Sequence, residues 1–346
     1  MATPVKIHDM RRKGYSLTDL RAEVVTGLSK PANEKYLPSL LLWDAKGQEL
    51  FADITASPGY YVYRAELDLL SRWNEDIATS VESGTVVIEL GAGNCKKTGV
   101  LLQALQRQQK TITYFALDVA ADPLIENLAQ LTRLLGRDSE YISCQGLLGS
   151  YEDCLMFLEQ EHEQQQLFRN QRLLFLWLGN SITNMSWESS VDILGRLLRL
   201  RYYPDSELLV SVDGNQDVES IRLAYDLPGG QIRRFVRNGL THANRVLGGE
   251  ENVFDEEDWE YERSWNEEGR EIRGYHVAKR DLVVKVDGNV LAIGKGERIH
   301  AVSSAKWTVD EMQKLCSAAG VVIKRSWCEP VYNFGECGTP RRSQCV

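Results

Sequence analysis

The residues best suited to chemistry form a short loop at the end of an apolar run. The run Thr85–Leu90 is followed by glycines at 91 and 93, Cys95 and a Lys97–Thr98 pair. Glycines let the backbone turn sharply and let a ligand approach without a Cβ in the way. Between Thr98 and Gln108, apolar residues recur at helical spacing. The segment predicts a strand, a glycine turn and a helix, with a ligand site at the carboxyl end of the strand.

Three kinds of nucleotide-binding loop compete to explain this segment. A dinucleotide loop needs a third glycine three residues after Gly93, and a P-loop needs a glycine before its Lys-Ser/Thr pair; Lys96 stands at both positions. An S-adenosylmethionine loop needs only the two glycines and an acid at the strand end, which is Glu89. A second acid should hold the ribose, and Asp118 ends the next apolar run. The pattern favours the third loop; a glycine turn that merely packs a helix on a sheet is the alternative.

Length and composition indicate a soluble globular protein with two domains. The chain has 346 residues, 43% of them hydrophobic, and a formal net charge of -9 that argues against a nucleic-acid partner. Its 7 cysteines and 5 histidines show no metal-ligand spacing, so we expect reduced thiols and no metal. Neither a signal peptide nor a membrane-spanning run is evident. We expect a cytoplasmic, monomeric protein with a small-molecule partner and no contact with membranes.

Apolar runs and helical segments alternate as far as Asp213, which is typical of an α/β fold. Helices are predicted at 98–110, 123–136 and 150–168, and strands at 112–118, 140–144 and 172–178. The last strand is wholly apolar, as expected for a central strand. The polar loop 179–186 follows it at the edge where such folds bind ligands, although Ser186 also fits a helix cap.

The pattern changes after Asp213. A helix near 217–226 leads to a strand-rich stretch at 259–304 with a turn at Asp287-Gly-Asn289. A helix at 306–319 and strands near 321–327 and 331–335 end the pattern. We interpret this order as an α/β unit, an inserted α+β lobe and a return to the α/β unit.

Separated motifs from Leu37 to Trp327 carry a family resemblance. They are Leu37-Pro, Trp43-Asp-Ala-Lys-Gly, Leu50-Phe, Ile54-Thr, Tyr60-Tyr, Arg64-Ala-Glu, Glu89-Leu-Gly-x-Gly, Leu178-Gly, Asn184, Ala224-Tyr-Asp and Asn244-Arg. With them the chain resembles the ergothioneine-pathway histidine N-methyltransferase family, including its fungal members that act on tryptophan and dimethylallyltryptophan. The resemblance implies a Rossmann-like class I methyltransferase domain (64–213 and 306–346) and an accessory α+β substrate-binding lobe (1–63 and 214–305).

The resemblance also implies site residues. The residues that would bind S-adenosyl-L-methionine lie in or near the loops that follow the strands: Glu89, Gly91, Gly93, Lys97, Asp118, Leu148 and Gly179. Many relatives carry an acid near Leu148, where this chain reads Gly146-Leu-Leu-Gly149. The catalytic residues would be Asn184 and Tyr225, which position the α-amino acid head group. The substrate would be contacted by Trp43, Tyr60, Gly274, Val302 and Ser304.

Two of these positions bear on the choice of substrate. Histidine-specific members of the family carry an acid where this chain has Val302 and a methionine where it has Gly274. An imidazole would lose its charged partner here, and the glycine would leave room for a larger ring. We predict α-N-methylation, once or more, of L-tryptophan. The alternatives are 4-dimethylallyltryptophan, histidine, or an inactive nucleotide-binding scaffold.

Overall fold

A computed structural model describes residues 5–11, 16–136, 139–159, 168, 171–248, 253–286, 289–331 and 334–340. The chain divides into two compact units. Unit 1 contains residues 1–11, 61–216 and 306–346, and unit 2 contains residues 12–60 and 217–305. The predicted roles of the two parts, cofactor binding and substrate binding, stay predictions.

The helices and strands are numbered in chain order. The strands are β1 (Ile7–Asp9), β2 (Val86–Leu90), β3 (Ile112–Asp118), β4 (Ile142–Leu148), β5 (Leu173–Trp177), β6 (Glu207–Asp213), β7 (Trp259–Asn266), β8 (Glu271–Ala278), β9 (Leu282–Val286), β10 (Asn289–Ile293), β11 (Arg298–Ala305), β12 (Arg325–Glu329) and β13 (Phe334–Pro340). The helices are α1 (Ser16–Leu28), α2 (Ala45–Ala56), α3 (Tyr61–Ser80), α4 (Lys96–Arg107), α5 (Ala121–Leu135), α6 (Tyr151–Glu159), α7 (Trp187–Leu197), α8 (Val218–Ala224), α9 (Gln231–Leu247) and α10 (Val309–Ala318).

Unit 1 is built on one sheet with the strand order β1-β4-β3-β2-β5-β6-β13-β12. The pairs from β1 to β6 are parallel, and β13 pairs antiparallel with both β6 and β12. Every residue of β2 and β5 is buried, which explains their continuous apolar sequences. The chain runs outward from β2 to β3 and β4 and then crosses to β5 on the other side of β2. Such a reversal of strand order opens a ligand crevice at the carboxyl ends of β2 and β5.

Local sequence explains how the helices of unit 1 begin and pack. Leu101, Leu102 and Leu105 form the buried stripe of α4. The Ser186 hydroxyl accepts a hydrogen bond from the Ser189 N–H at 3.1 Å, so the predicted capping role of Ser186 at α7 is confirmed. These contacts fix the helices that follow β2 and β5, and with them the loops at the sheet edge.

Unit 2 combines the antiparallel sheet β11-β8-β7, the β9–β10 hairpin and several helices. Its core joins α1 and α9 to the sheet through buried residues such as Val24, Leu240, Trp259 and Ile299. A buried ion pair between Lys35 Nζ and Glu297 Oε1, at 2.7 Å, ties the segment after α1 to the residue before β11. The helices α2 and α9 pack on each other, and this contact positions the aromatic side chains described below.

The alternation predicted from sequence is present, with two differences. Strand β1 was not predicted, because its three residues at a sheet edge, two of them half-buried and one exposed, carry too little periodicity. The last two strands begin four and three residues later than predicted, at 325–329 and 334–340. Residues 160–167 of the predicted helix 150–168, and 287–288 of the predicted turn, lie outside the described residues; the flanking strands β9 and β10 do pair antiparallel.

Candidate functional site

The turn after β2 has the backbone conformation that its glycines predict. Gly91 and Gly93 have φ values of 70° and 52°, in the left-handed region that favours glycine. A Cβ on Gly91 would lie 2.8 Å from the Tyr151 hydroxyl, whereas a Cβ on Gly93 would have no protein atom within 4 Å. The turn therefore faces open space at position 93, and this space is the cradle that a ligand needs.

Asp118, at the end of β3, is joined to the glycine turn. Its Oδ2 accepts a hydrogen bond from the Gly93 N–H at 3.1 Å, and its Oδ1 accepts one from the Val119 N–H at 2.7 Å. Leu148, at the end of β4, lies opposite Asp118 in the parallel register, and the Gly149 N–H donates to the Asp118 carbonyl at 3.0 Å. The structure thus brings three predicted cofactor positions, Gly93, Asp118 and Leu148, to one edge of the sheet.

Glu89 is buried beneath the same turn. Its Oε1 accepts a hydrogen bond from the Thr98 hydroxyl at 2.6 Å, and its Oε2 accepts one from the Tyr114 hydroxyl. Burial raises the pKa of Glu89 to about 7, although the two hydrogen bonds and Lys97 act to lower it. Since Thr98 lies in the first turn of α4, this carboxyl group fixes the start of the helix relative to β2.

Lys97 belongs to a second polar cluster at the carboxyl edge, the Glu66 cluster, which contains Glu66, Lys97, Gly179 and Ser211. Glu66 of α3 is fully buried and forms an ion pair with Lys97. Its Oε1 also accepts hydrogen bonds from the Gly179 N–H and the Ser211 hydroxyl, each at 2.7 Å. The cluster joins α3, the start of α4 and the ends of β5 and β6. Two predicted cofactor positions, Lys97 and Gly179, are therefore in contact through Glu66.

Asn184 lies at the end of a short 3-10 helix, Ser181–Asn184, in the loop after β5. The loop is anchored by Asn180, whose Oδ1 accepts a hydrogen bond from the Asp213 N–H at 2.8 Å. Asp213 is itself buried; it pairs with Lys306 Nζ at 2.9 Å and accepts a hydrogen bond from the Tyr61 hydroxyl at 2.6 Å. The half-buried Asn184 side chain is thus carried by a loop that is tied to the end of β6.

Unit 2 contains a connected cluster of aromatic rings. Trp43 packs edge-on against Phe51 and Phe235, with ring centroids 5.0 and 5.2 Å apart. Tyr60 packs edge-on against Phe51 at 6.3 Å and against Tyr225 at 5.9 Å. Edge-to-face pairs of this kind stabilise an aromatic cluster beyond the burial of its area. Among the predicted site residues, Tyr60 therefore contacts Tyr225 directly, and it is linked to Trp43 through the ring of Phe51.

Tyr225 connects this cluster to the sheet of unit 2. Its hydroxyl donates a hydrogen bond to the Ser304 Oγ at 2.8 Å. Ser304 and Val302 lie on the same face of β11, and Val302 is opposite Gly274 of β8. The five substrate positions and Tyr225 therefore lie along one connected region of unit 2.

The lack of a side chain at Gly274 does not by itself leave empty space beside this residue. A Cβ at this position would lie 3.1 Å from Cε2 of Tyr261, 3.1 Å from Cγ1 of Val302 and 3.4 Å from the Tyr261 hydroxyl. The ring of Tyr261, from β7, takes part of the space that sequence analysis expected the glycine to free. Burial raises the pKa of the Tyr261 phenol, so the group stays neutral. Tyr261 was not predicted, because only the register between β7 and β8 brings it over Gly274.

The sheet of unit 2 separates its charged residues by face. Side chains alternate between the faces of a strand, and the pairing registers place one set of residues together with Gly274. This Gly274 face comprises Trp259, Tyr261, Arg263, Trp265, Ile272, Gly274, His276, Ala278, Ile299, Val302 and Ser304. None of these strand residues is acidic, whereas Glu260, Glu262 and Glu271 lie on the opposite face. On the Gly274 face, Arg263 forms an ion pair with Asp226, which follows α8.

Glu66 carried a role that sequence analysis did not assign. Its neighbours Val62, Ala65, Leu69 and Leu70 form the buried stripe of α3. A glutamate within such a stripe is a detectable signal, because a charged group is rarely buried without partners.

Among the described residues, no group of three or more potential metal ligands is present, and no helix is long and apolar enough to cross a membrane.

The order of the parallel strands reverses at β2, a glycine turn follows β2, and an acidic residue ends β3. Together these features define a nucleotide-binding α/β protein. Residues 20–338 match the family model described as "Histidine-specific methyltransferase, SAM-dependent". The chain belongs to this family and is a methyltransferase that uses S-adenosylmethionine.

Three similar proteins have names that give an activity, a substrate or a pathway. The chain is 37% identical over 337 residues to N-methyltransferase imqF of Aspergillus flavus, covering 97% of this chain and 88% of that one. It is 31% identical over 328 residues to L-tryptophan methyltransferase trpM of Psilocybe serbica, covering 91% and 90%. It is 30% identical over 330 residues to Ergothioneine biosynthesis protein 1 of Neurospora crassa, covering 93% of this chain and 35% of that protein.

Proposed function

We propose that the protein transfers methyl groups from S-adenosylmethionine to the α-amine of L-tryptophan or a tryptophan derivative. The observation that carries this proposal is the Gly274 face, whose strand residues are aromatic, apolar, hydroxyl-bearing or basic and include no carboxylate. A site selects an imidazole most strongly when it offers a buried acceptor for the ring N–H groups. A site without such an acceptor loses much of its discrimination between imidazole and other rings. An indole has a single N–H, which one hydroxyl can satisfy.

The aromatic cluster supports the same substrate class. Trp43 and Tyr60 present ring surfaces within unit 2, and Tyr225 continues the cluster to Ser304. Aromatic pairs add about 0.5–1.5 kcal/mol beyond the burial of their area, so such a cluster favours a bicyclic ring over an imidazole. The name of trpM, a tryptophan methyltransferase, adds support from a relative that aligns over nearly its whole length.

The residues at the carboxyl edge of unit 1 fit the cofactor. The open space at Gly93 leaves room for a ligand, and the Asp118 carboxylate beside it suits ribose hydroxyls. We assign Leu148, which lies opposite Asp118, to the adenine, and Lys97 and Gly179 to the methionine part.

Methyl transfer from a sulfonium to an amine requires little from the protein beyond positioning the two reactants. The bound cofactor supplies an electrophilic methyl group on a sulfonium. An unprotonated α-amine is already a nucleophile, so the protein needs to orient it about 3 Å from the reacting atom and exclude water. A Tyr225 oxygen that donates its proton to Ser304 acts as an acceptor towards an amine N–H, which directs the nitrogen lone pair elsewhere. The resemblance assigns an orienting role to Asn184 as well, so Asn184→Ala should lower turnover far more than it weakens the cofactor.

A competition assay tests the proposal. The protein is incubated with S-adenosylmethionine and equal concentrations of tryptophan, 4-dimethylallyltryptophan and histidine, and mass spectrometry follows mass increments of one methyl group. We expect products from an indole substrate to dominate the initial rates. Predominant methylation of histidine would overturn the proposal, and faster reaction of the prenylated compound would narrow it to a derivative.

A further inference from the structure

Glu66 is a fully buried carboxylate at the carboxyl edge of unit 1. It lies on the apolar stripe of α3, and its residue exposure is 0%. Burying an ionised carboxylate is costly unless charged and hydrogen-bonding partners compensate it. A hydrophobic residue would fit this stripe without that cost, so the glutamate needs an explanation beyond packing.

Two of the three partners of Glu66, Lys97 and Gly179, are predicted cofactor positions. Its Oε1 accepts hydrogen bonds from the Gly179 N–H and the Ser211 hydroxyl, and its Oε2 pairs with the Lys97 ammonium. Both carboxylate oxygens are engaged and the side chain is fully buried. Glu66 is therefore enclosed by the protein, and we expect it to act through its partners rather than by touching a ligand.

Lys97 is the partner that reaches the surface of the site. Its side chain is 16% exposed, and its Nζ lies 5.6 Å from the centroid of the Tyr63 ring and 3.3 Å from where a Cβ on Gly179 would stand. Lys97 is the second residue of α4, where the helix dipole disfavours a cation. The Glu66 carboxylate offsets that effect and selects one arrangement of a long, flexible side chain.

We propose that Glu66 is a positioning residue, which holds the Lys97 ammonium in place to bind the carboxylate of the methionine part of S-adenosylmethionine. That carboxylate is the only anionic group of the cofactor. The Gly179 N–H donates to the other Glu66 oxygen, Oε1, and this hydrogen bond keeps the loop after β5 in register with Lys97. The inference concerns the cofactor alone, so it stands whether tryptophan or another amino acid accepts the methyl group.

Isothermal titration with two ligands tests the proposal. S-adenosylhomocysteine carries the amino-acid carboxylate, and 5′-methylthioadenosine lacks it. Lys97→Met should weaken S-adenosylhomocysteine roughly 10- to 150-fold, which corresponds to about 1.5–3 kcal/mol for a hydrogen bond to a charged group. Glu66→Gln should reduce the affinity for S-adenosylhomocysteine by a large part of the same factor. The double variant should bind this ligand no more weakly than Lys97→Met, because both changes remove the same interaction between Lys97 and the ligand carboxylate. Methylthioadenosine should bind all variants equally.

Matched controls separate positioning from loss of structure. Glu75→Gln makes the same change on the same helix at an exposed ion pair with Arg107, and it should leave both affinities unchanged. Ser211→Ala removes one partner of Glu66 without changing charge, and it should weaken S-adenosylhomocysteine severalfold even if Glu66→Gln does not fold. Unchanged S-adenosylhomocysteine affinity in Glu66→Gln or Ser211→Ala would overturn the proposal, as would an equal loss for both ligands.

Discussion

Val302→Glu would place a carboxylate on the Gly274 face, whose strand residues lack one. A hydrogen bond between this carboxylate and an imidazole N–H would contribute about 1.5–3 kcal/mol, the range for charged groups. Since 1.36 kcal/mol corresponds to a tenfold change in rate, the ratio of kcat/KM for histidine over tryptophan should rise roughly 10- to 150-fold. Sequence alone suggested adding Gly274→Met, but Tyr261 and Val302 lie only 3.1 Å from a Cβ at that position. The single change is therefore the cleaner perturbation.

The assay for Val302→Glu mixes equal tryptophan and histidine with the cofactor and reads both products by mass spectrometry at early times. The ratio of initial rates then equals the ratio of kcat/KM values. Val302→Gln is the control, because it matches the size of glutamate without its charge, and we expect it to shift the ratio only a few-fold. A folded Val302→Glu protein with an unchanged ratio would refute the reasoning, since the substrate ring would then not approach Val302.

Four further predictions concern the cofactor edge and Tyr225. Gly93→Val should abolish cofactor binding in a titration, and its melting temperature should fall only by the backbone strain of a left-handed position, because a Cβ there meets no protein atom within 4 Å. Asp118→Ala should weaken the cofactor by about 1.5–3 kcal/mol in the same titration, and unchanged affinity would place the ribose elsewhere. Tyr225→Phe removes the hydroxyl that donates to Ser304 and should lower kcat severalfold at constant cofactor affinity; normal turnover would contradict its role. Burial raises the pKa of Glu89 from 4.5 to about 7, so between these values the folded state binds more protons than the unfolded state. The free energy of unfolding in urea should therefore fall by on the order of 3 kcal/mol across that window, and Glu89→Gln should remove this slope.

The parts of the fold that sequence predicted are those that local patterns determine. The glycine turn after β2 follows from two glycines in left-handed conformations and from the apolar stripe of α4. The cap of α7 follows from the hydroxyl of Ser186, one residue before the helix begins. Each of these features depends on residues close together in the chain, so a single sequence was enough to predict them.

The parts that sequence missed depend on distant pairing. The contact between Tyr261 and Gly274 exists only because β7 and β8 pair in one register, and a shift of one residue would turn Tyr261 to the other face. The shift of β12 and β13 has the same origin, since β13 takes its position from β6. Glu66 was visible as a motif residue, but its partners come from three other elements. These features require the three-dimensional pairing itself.

The strand order of unit 1 also determines when its sheet can be completed during synthesis. Phe334 pairs with Asp213, so one neighbour of β6 emerges from the ribosome roughly 120 residues after β6 itself, and such distant pairing forms slowly. Until then, β6 exposes a row of unpaired backbone groups, which can template pairing with other chains. Nascent chains with such an edge aggregate readily. We therefore expect the yield of folded protein to depend on chaperone supply and growth temperature, and a chain cut before residue 334 to be recovered mainly as aggregate.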